Sequence, residues 1–122
     1  MNISIIVEGI KDKQRLNDLL SDDISIYCTF GTPSTSTLEN LAERLQFDDV
    51  YIFTDNDVSG KRIRGMLREY FPDANHLYTR REYGGVEKTP IEYILVQIEK
   101  AGLAEYVKTS PTKPALWSKD EF

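Results

Sequence analysis

The sequence predicts an α/β fold, a mainly parallel four-stranded sheet with helices on both faces, and three observations carry that expectation. Short apolar runs rich in β-branched residues are separated by windows of helical periodicity. Helix-start signals stand before those windows. Strand and helix alternate three or four times, the order that gives a parallel sheet covered on both faces.

The first run, ISIIV (Ile3–Val7), reads as a buried strand. The helix after it turns Leu16, Leu19 and Leu20 inward, with Asp12 placed to cap its start. ISIYCTF (Ile24–Phe30) is β-branched and aromatic, hence a second strand. Ser36 and Glu39 then form a capping-box signature ahead of Leu38, Leu41, Ala42 and Leu45, which fall on one helical face. VYIFT (Val50–Thr54) is the third strand, and a third helix starting near Gly60 buries Ile63, Met66, Leu67 and Tyr70. HLYT (His76–Thr79) is a short fourth strand. Thr89 as N-cap, Pro90 in the first turn and Glu92 open a fourth helix whose apolar face is Ile91, Ile94, Leu95 and Ile98, with Gly102 at its end. The expected organisation is one domain over residues 1–102, followed by a tail, 103–122, that packs on the domain or on a partner through Trp117.

At 122 residues the chain can bury a core without disulfides or a structural metal. Cys28 is the only cysteine and lies inside a strand-like run, so no disulfide framework is available and a reducing cytoplasm is expected. No apolar run approaches the roughly 18 residues of a membrane span. The net charge of −5 argues against a protein that coats nucleic acid non-specifically. Charge is nonetheless unevenly arranged: Lys61, Arg62, Arg64, Arg68, Arg80 and Arg81 cluster in a short span, which predicts a basic surface on an acidic protein.

In open parallel sheets, ligands bind beyond the carboxyl ends of the strands. Glu8 closes the first strand and Asp55 the third, so both emerge at that edge. Asp57, two residues further, projects the same way as Asp55 if the segment is extended. Three converging carboxylates repel one another, and Mg²⁺ suits a small carboxylate set that leaves positions for water and phosphate oxygens. Gly60 precedes a helix N-terminus, where an anionic group is favoured. Lys61, Arg64 and Arg68 fall at i, i+3 and i+7 and predict a basic stripe beside the acids. An Asp-x-Asp after a strand is also a common turn and cap, and a basic stripe is also an ordinary solvated helix face. The hydroxyl-rich GTPSTST (Gly31–Thr37) either touches phosphate or serves as loop and cap. His76, the only histidine, is expected to be structural.

VEGIKD (Val7–Asp12) followed by FTDNDVSGKRIR (Phe53–Arg64) resembles the two signature motifs of the Toprim domain. That domain is shared by topoisomerases, bacterial primases, recombination-repair proteins and certain nucleases. YGGVEKTPIEYI downstream strengthens a likeness to the Toprim part of the bacterial ribonuclease that matures 5S ribosomal RNA (the M-five enzyme) and to its small stand-alone relatives. The likeness covers about Ile3 to Ile98. It implies a Rossmann-like Toprim fold, Glu8 as acid-base glutamate, Asp55 and Asp57 as metal-binding aspartates and Mg²⁺ as cofactor. Glu87 matches a further acidic position, either an accessory acid or a cap or salt-bridge partner near the fourth helix. Ile10 stands where the nuclease has a basic residue. The chain also ends soon after the Toprim region, so specific 5S precursor processing by this chain alone is not expected.

The function this implies is Mg²⁺-dependent phosphoryl transfer, nuclease-like hydrolysis of a phosphodiester in RNA ahead of DNA, with Asp55 and Asp57 holding the metal and Glu8 either ligating it too or acting as general acid/base. Lys61, Arg64 and Arg68, with Arg80 and Arg81 past the fourth strand, position the backbone without reading sequence. A topoisomerase needs a nucleophilic tyrosine from a separate domain, and a primase needs zinc-binding and polymerase modules. A phosphatase of the haloacid-dehalogenase type places its Asp-x-Asp near the N-terminus and has no use for Glu8. The standing alternative is a non-catalytic, metal-binding module for nucleic acid or a protein partner, with a partner supplying further binding surface or a homodimer forming through the tail.

Overall fold

The computed structural model describes residues 2–108. The elements run β1 (Ile3–Val7), α1 (Ile10–Leu19), β2 (Ile24–Cys28), α2 (Thr35–Arg44), β3 (Asp49–Ile52), α3 (Val58–Tyr70), β4 (Asn75–His76) and α4 (Ile91–Lys100), with 3-10 turns at Arg81–Tyr83 and Ala104–Tyr106. The four strands form one sheet in the order β2-β1-β3-β4, and every pair is parallel. The expected α/β architecture is therefore the observed one.

Side-chain alternation along the strands divides the core in two. Ile5 and Val7 of β1, with Tyr51 and Phe53, meet Leu16 and Leu19 of α1 and Ile94 and Ile98 of α4. Ile6, Val50 and Ile52 turn the other way, onto Leu38 of α2 and Ile63 and Leu67 of α3. Helices on both faces leave the strand ends as the open part of the sheet. Register fixes what emerges there: Ile5 lies beside Ile26 and Tyr51, and Ile6 beside Tyr27 and Ile52.

Several helix and strand limits differ from expectation, each for a local reason. The N-cap of α1 is Gly9; Asp12 is one turn inside, its carboxylate reaching back to accept the Gly9 N–H at 3.0 Å. The N-cap of α2 is Ser34 rather than Ser36, because Ser34 Oγ accepts the Thr37 N–H at 3.1 Å, two residues before the expected box. α3 starts before Gly60, at Val58, with Asp57 as its cap. Thr89 does not cap α4: its hydroxyl is buried and donates to Gly85 O at 2.6 Å, leaving Pro90 at the cap position. β2 stops at Cys28 because Phe30 and Gly31 both take positive φ and turn the chain out of the sheet. Gly102 follows α4 at φ 83°, the left-handed position that ends helices.

Beyond α4, Leu103 is buried and Val107 bridges Leu20 in antiparallel sense. Trp117 lies outside the described residues. No helix among the described residues is long and apolar enough to cross a membrane.

Candidate active site

At the carboxyl edge of the two central strands, acidic side chains are held by backbone N–H groups, for Glu8 and Asp55 those of distant segments. Glu8 follows β1 directly, and its Oε2 accepts the Asp55 N–H at 2.6 Å. Asp55 comes after β3, and its Oδ1 accepts the Val86 N–H at 2.8 Å. Asp57 Oδ1 accepts the Gly60 N–H at 2.6 Å as the cap of α3. Each carboxylate thus uses one oxygen locally, leaving Oε1 of Glu8 and Oδ2 of Asp55 and Asp57 without a protein hydrogen bond among the described residues.

Two glycines permit this closeness. A Cβ on Gly60 would fall 2.0 Å from the Asp55 carbonyl oxygen and 2.9 Å from Glu8 Oε2. Gly85, at φ 121°, faces both Asp55 carboxylate oxygens, and a Cβ there would lie 3.0 Å from each.

Electrostatics shows how crowded the negative charge is. Burial pushes the Glu8 carboxyl up to about 6, and the charges of Asp55, Asp57 and Asp12 add to the rise, against the hydrogen bond from Asp55. Burial also raises Asp55, with Asp57 and Glu87 contributing. Asp12, read from the sequence only as a cap, is a fourth member of the cluster. It is buried and pushed up to about 6 by that burial and by Asp55. Its place in VEGIKD, one helical turn after Glu8, was the available signal.

Glu87 is brought to the same neighbourhood but is tied to α1 rather than to α4. Its carboxylate pairs with Lys11 at 3.6 Å, and its backbone carbonyl accepts from the Arg15 guanidinium. The pairing expected near α4 is thus made with α1 instead.

The basic residues separate. Lys61 and Arg68 are exposed and, with Asp55, Asn56 and Tyr78, line a cleft of about 250 Å³ beside the acids. Arg64 also reaches this cleft but does not belong to a solvated stripe, because it shares the buried face of α3 with Gly60, Ile63 and Leu67. Only 4% exposed, its guanidinium donates to the carbonyls of Ile52, Thr54 and Leu77 at 3.3, 3.2 and 2.7 Å and sits 4.3 Å from the Tyr78 ring centroid. Its Nη1 is 2.8 Å from His76 Nδ1, and burial together with the Arg64 and Arg68 charges lowers the His76 pKa. His76 is accordingly structural. Arg80 pairs with Glu82 at 3.0 Å, and Arg81 is exposed at the start of a 3-10 turn; neither contacts the carboxylates among the described residues. In the GTPSTST loop, Ser34 and Thr37 are engaged in capping α2.

Arg64 is a structural cation with three carbonyl partners, so Arg64→Leu is expected to cost about 3 kcal/mol, chiefly through the Thr54 and Leu77 carbonyls left without a donor, since Ile52 O keeps the Leu77 N–H; the loss is read as a lowered urea midpoint. Arg68→Ala, on the exposed side, leaves the midpoint within about 0.5 kcal/mol.

Among the described residues no three His, Cys, Asp or Glu side chains close on a single point as a metal cage. Mg²⁺ does not need one: it keeps several waters and takes one or two carboxylates together with phosphate oxygens. The donor chemistry fits that ion, since oxygens remain available on Glu8, Asp55 and Asp57 and the cluster holds its negative charge at a cost.

That cost has a definite pH dependence. Carboxyls whose folded pKa exceeds the unfolded value give stability that is complete below the unfolded pKa and lost as pH rises through the folded one. For Glu8 the model-peptide and folded values are 4.5 and about 6, and for Asp12 they are 3.8 and about 6. Metal-free protein is therefore destabilised by these groups as pH rises through about 6, and Asp12→Asn is expected to raise Tm near neutral pH and not below about pH 4. Added Mg²⁺ is expected to stabilise wild type most above about pH 6. Thermal melts across pH, with and without Mg²⁺, read both effects.

The chain matches the family model of the Toprim domain over residues 4–88. It is 39% identical over 99 residues to the uncharacterized protein YusF of Bacillus subtilis (strain 168), covering 81% of this chain and 68% of that protein. It is 32% identical over 79 residues to ribonuclease M5 of Streptococcus pneumoniae (strain ATCC BAA-255 / R6), covering 64% of this chain and 41% of the ribonuclease. The small Toprim domain protein from Bacillus stearothermophilus superposes with a TM-score of 0.79 at 38% identity, covering 88% of this chain and 90% of that one.

Proposed function

The chain belongs to the Toprim domain family, and on that premise we propose that it is a Mg²⁺-dependent phosphodiester hydrolase acting on nucleic acid, RNA ahead of DNA. The observation that carries the proposal is the set of acids at the carboxyl edge of β1 and β3, with Glu8 raised to about 6. RNA is put first because of the similarity to a ribonuclease, of which this chain spans about two-fifths.

In this reading Asp55 and Asp57 would hold Mg²⁺, with Glu8 beside them. Mg²⁺ held there would supply polarisation of the scissile phosphate and charge neutralisation at the departing oxygen. Glu8 moves the proton at Oε1, while its Oε2 stays fixed on the Asp55 N–H. Burial raises the Glu8 carboxyl in the metal-free protein, which favours its holding a proton. Lys61 and Arg68 face the nucleic-acid backbone, and Arg64 keeps the ends of β3 and β4 in place.

Calorimetric titration of Mg²⁺ into wild type and into the double variant Asp55→Asn, Asp57→Asn tests the reading. Binding by wild type and none by the variant is the expected result, followed by Mg²⁺-dependent cleavage of RNA. Binding without cleavage of RNA or DNA would instead favour a metal-binding interaction module. One observation leans that way: Arg64, one of the cations beside the acids, is already engaged by protein carbonyls.

A further inference from the structure

Two exposed aromatic rings flank the acids, and the reading above does not use them. Phe30 lies two residues past the end of β2 and is 75% exposed; Tyr78 lies two residues past the end of β4 and is 49% exposed. Because the strand order is β2-β1-β3-β4, the carboxyl edge carries, in sequence across the sheet, Phe30, Glu8, Asp55 and Tyr78. Three strand intervals separate the outer pair, about 14 Å at ordinary spacing. The acids are in the middle and the rings on the outside.

Phe30 is held where it is at a conformational cost. Its φ of 57° is the left-handed region, which a bulky side chain adopts only when its surroundings enforce it. Hydrogen bonds do so: Gly31 N–H donates to the Glu8 carbonyl at 3.0 Å, the Phe30 N–H points to Cys28 Sγ at 3.3 Å, and Thr29 Oγ1 donates to Gly31 O at 2.6 Å. The turn that presents the ring to solvent therefore hangs from Glu8 itself. Among the described residues no packing explains a phenylalanine there, since most of the ring is exposed. Tyr78 is fixed differently, with the Arg64 guanidinium over its ring and His76 stacked beside it. It also borders the cleft that contains Lys61 and Arg68.

The geometry points to single-stranded nucleic acid as the substrate form: a strand crossing the edge with a phosphate at Glu8 and Asp55 and its neighbouring bases stacked on Phe30 and on the side of the Tyr78 ring away from Arg64. This rests on the phosphodiester reading above and narrows it. Aromatic stacking is sequence-tolerant because every base offers a π-face, and it requires bases not already stacked within a duplex. Lys61 and Arg68 follow the backbone on the Tyr78 side, where a strand leaving the acids passes.

The test uses the whole chain in a Glu8→Gln background, so that the strand survives, with Mg²⁺ present. Anisotropy of a labelled, unstructured RNA oligonucleotide is compared with that of a blunt duplex of the same sequence. Expected are tighter binding of the single strand, a loss of about tenfold or more in its affinity for Phe30→Ala and for Tyr78→Ala, and near-wild-type affinity for Phe30→Trp. Phe30→Gly separates binding from folding, because it relieves the positive φ: its Tm rises while its single-strand affinity falls. Equal affinity for duplex and single strand, or unchanged affinity in both alanine variants, overturns the inference and leaves Mg²⁺-dependent cleavage by wild type standing. If Phe30→Ala converts a dimer to a monomer in sedimentation while single-strand affinity holds, the ring is a self-association contact and the inference fails. No binding of either form, with no cleavage by wild type, overturns both readings together.

Discussion

Glu8→Gln is expected to reduce Mg²⁺-dependent phosphodiester cleavage by about 10²- to 10⁴-fold, the usual worth of a positioned general acid or base. The amide has the shape of the carboxyl and can still accept the Asp55 N–H through its oxygen, so the β3 loop keeps its anchor. What disappears is the exchangeable proton at the second oxygen. The pH dependence makes the assignment specific: the ionisation of Glu8 in the wild-type rate profile, moved by bound Mg²⁺ below its metal-free value of about 6, is absent from the residual activity of the variant. Removing one negative charge from a self-repelling cluster also raises the metal-free Tm near neutral pH, where the carboxylate is destabilised by burial and by Asp55 and Asp57. A variant that is more stable and nearly inactive places the loss in chemistry. Glu8→Ala is less informative, since it also releases the loop.

Gly60→Ala is expected to give the largest loss of stability of any single methyl addition in α3, about 4 kcal/mol or more, read from urea or thermal unfolding. A Cβ at that position meets the Asp55 carbonyl oxygen at 2.0 Å, and backbone cannot rotate away as a flexible side-chain end can. The nearest relief is to push α3 from β3, which breaks the Asp57 cap on Gly60 N–H and the bond from Thr54 Oγ1 to Gly60 O. Gly65 in the same helix is the control. Nothing lies within 4 Å of a Cβ added there, so Gly65→Ala is expected to stabilise by about 0.5–1 kcal/mol. Opposite signs from the same substitution in one helix would show that the requirement at Gly60 is close approach.

Much of this arrangement can be read without coordinates. Ile3–Val7 is the same strand in sequence and structure, and the apolar positions of α2 and of α4 lie where helical periodicity puts them, except Ile91, which the first turn of α4 leaves exposed. The acid pair is legible because a strand-terminal Glu8 and Asp55 must share an edge once the sheet is parallel. Helix starts were displaced where a competing polar side chain bonded the backbone first: Ser34 ahead of Ser36, Asp57 ahead of Gly60. Arg64 misled for a stronger reason. Periodicity sees a charged residue and assigns it to water, but three strand-end carbonyls form a buried acceptor set that only the assembled sheet creates. Asp12 was hidden likewise, because its neighbour Asp55 is distant in sequence. Phe30 gave no signal, since its positive φ is imposed by bonds from its own turn and from Glu8.

The backbone tethers of the acids have a consequence for the order in which the molecule assembles. Ile3 of the central strand pairs with Ile24 and, further along, with Asp49. Glu8 can take its partner only when the chain as far as Asp55 is in place, and Asp55 takes its own only with Val86. These tethers close loops of 47 and 31 residues, both longer than the Ile3-to-Ile24 loop of the β1–β2 pairing, so they are slower to form than that pairing. The negative charges are thus brought together with the docking of β3 rather than with the first β1–β2 pairing, and repulsion among them opposes that docking step rather than the initial collapse. A divalent cation available during folding would lower that barrier, making the ion a kinetic helper of the structure as well as a reagent in it.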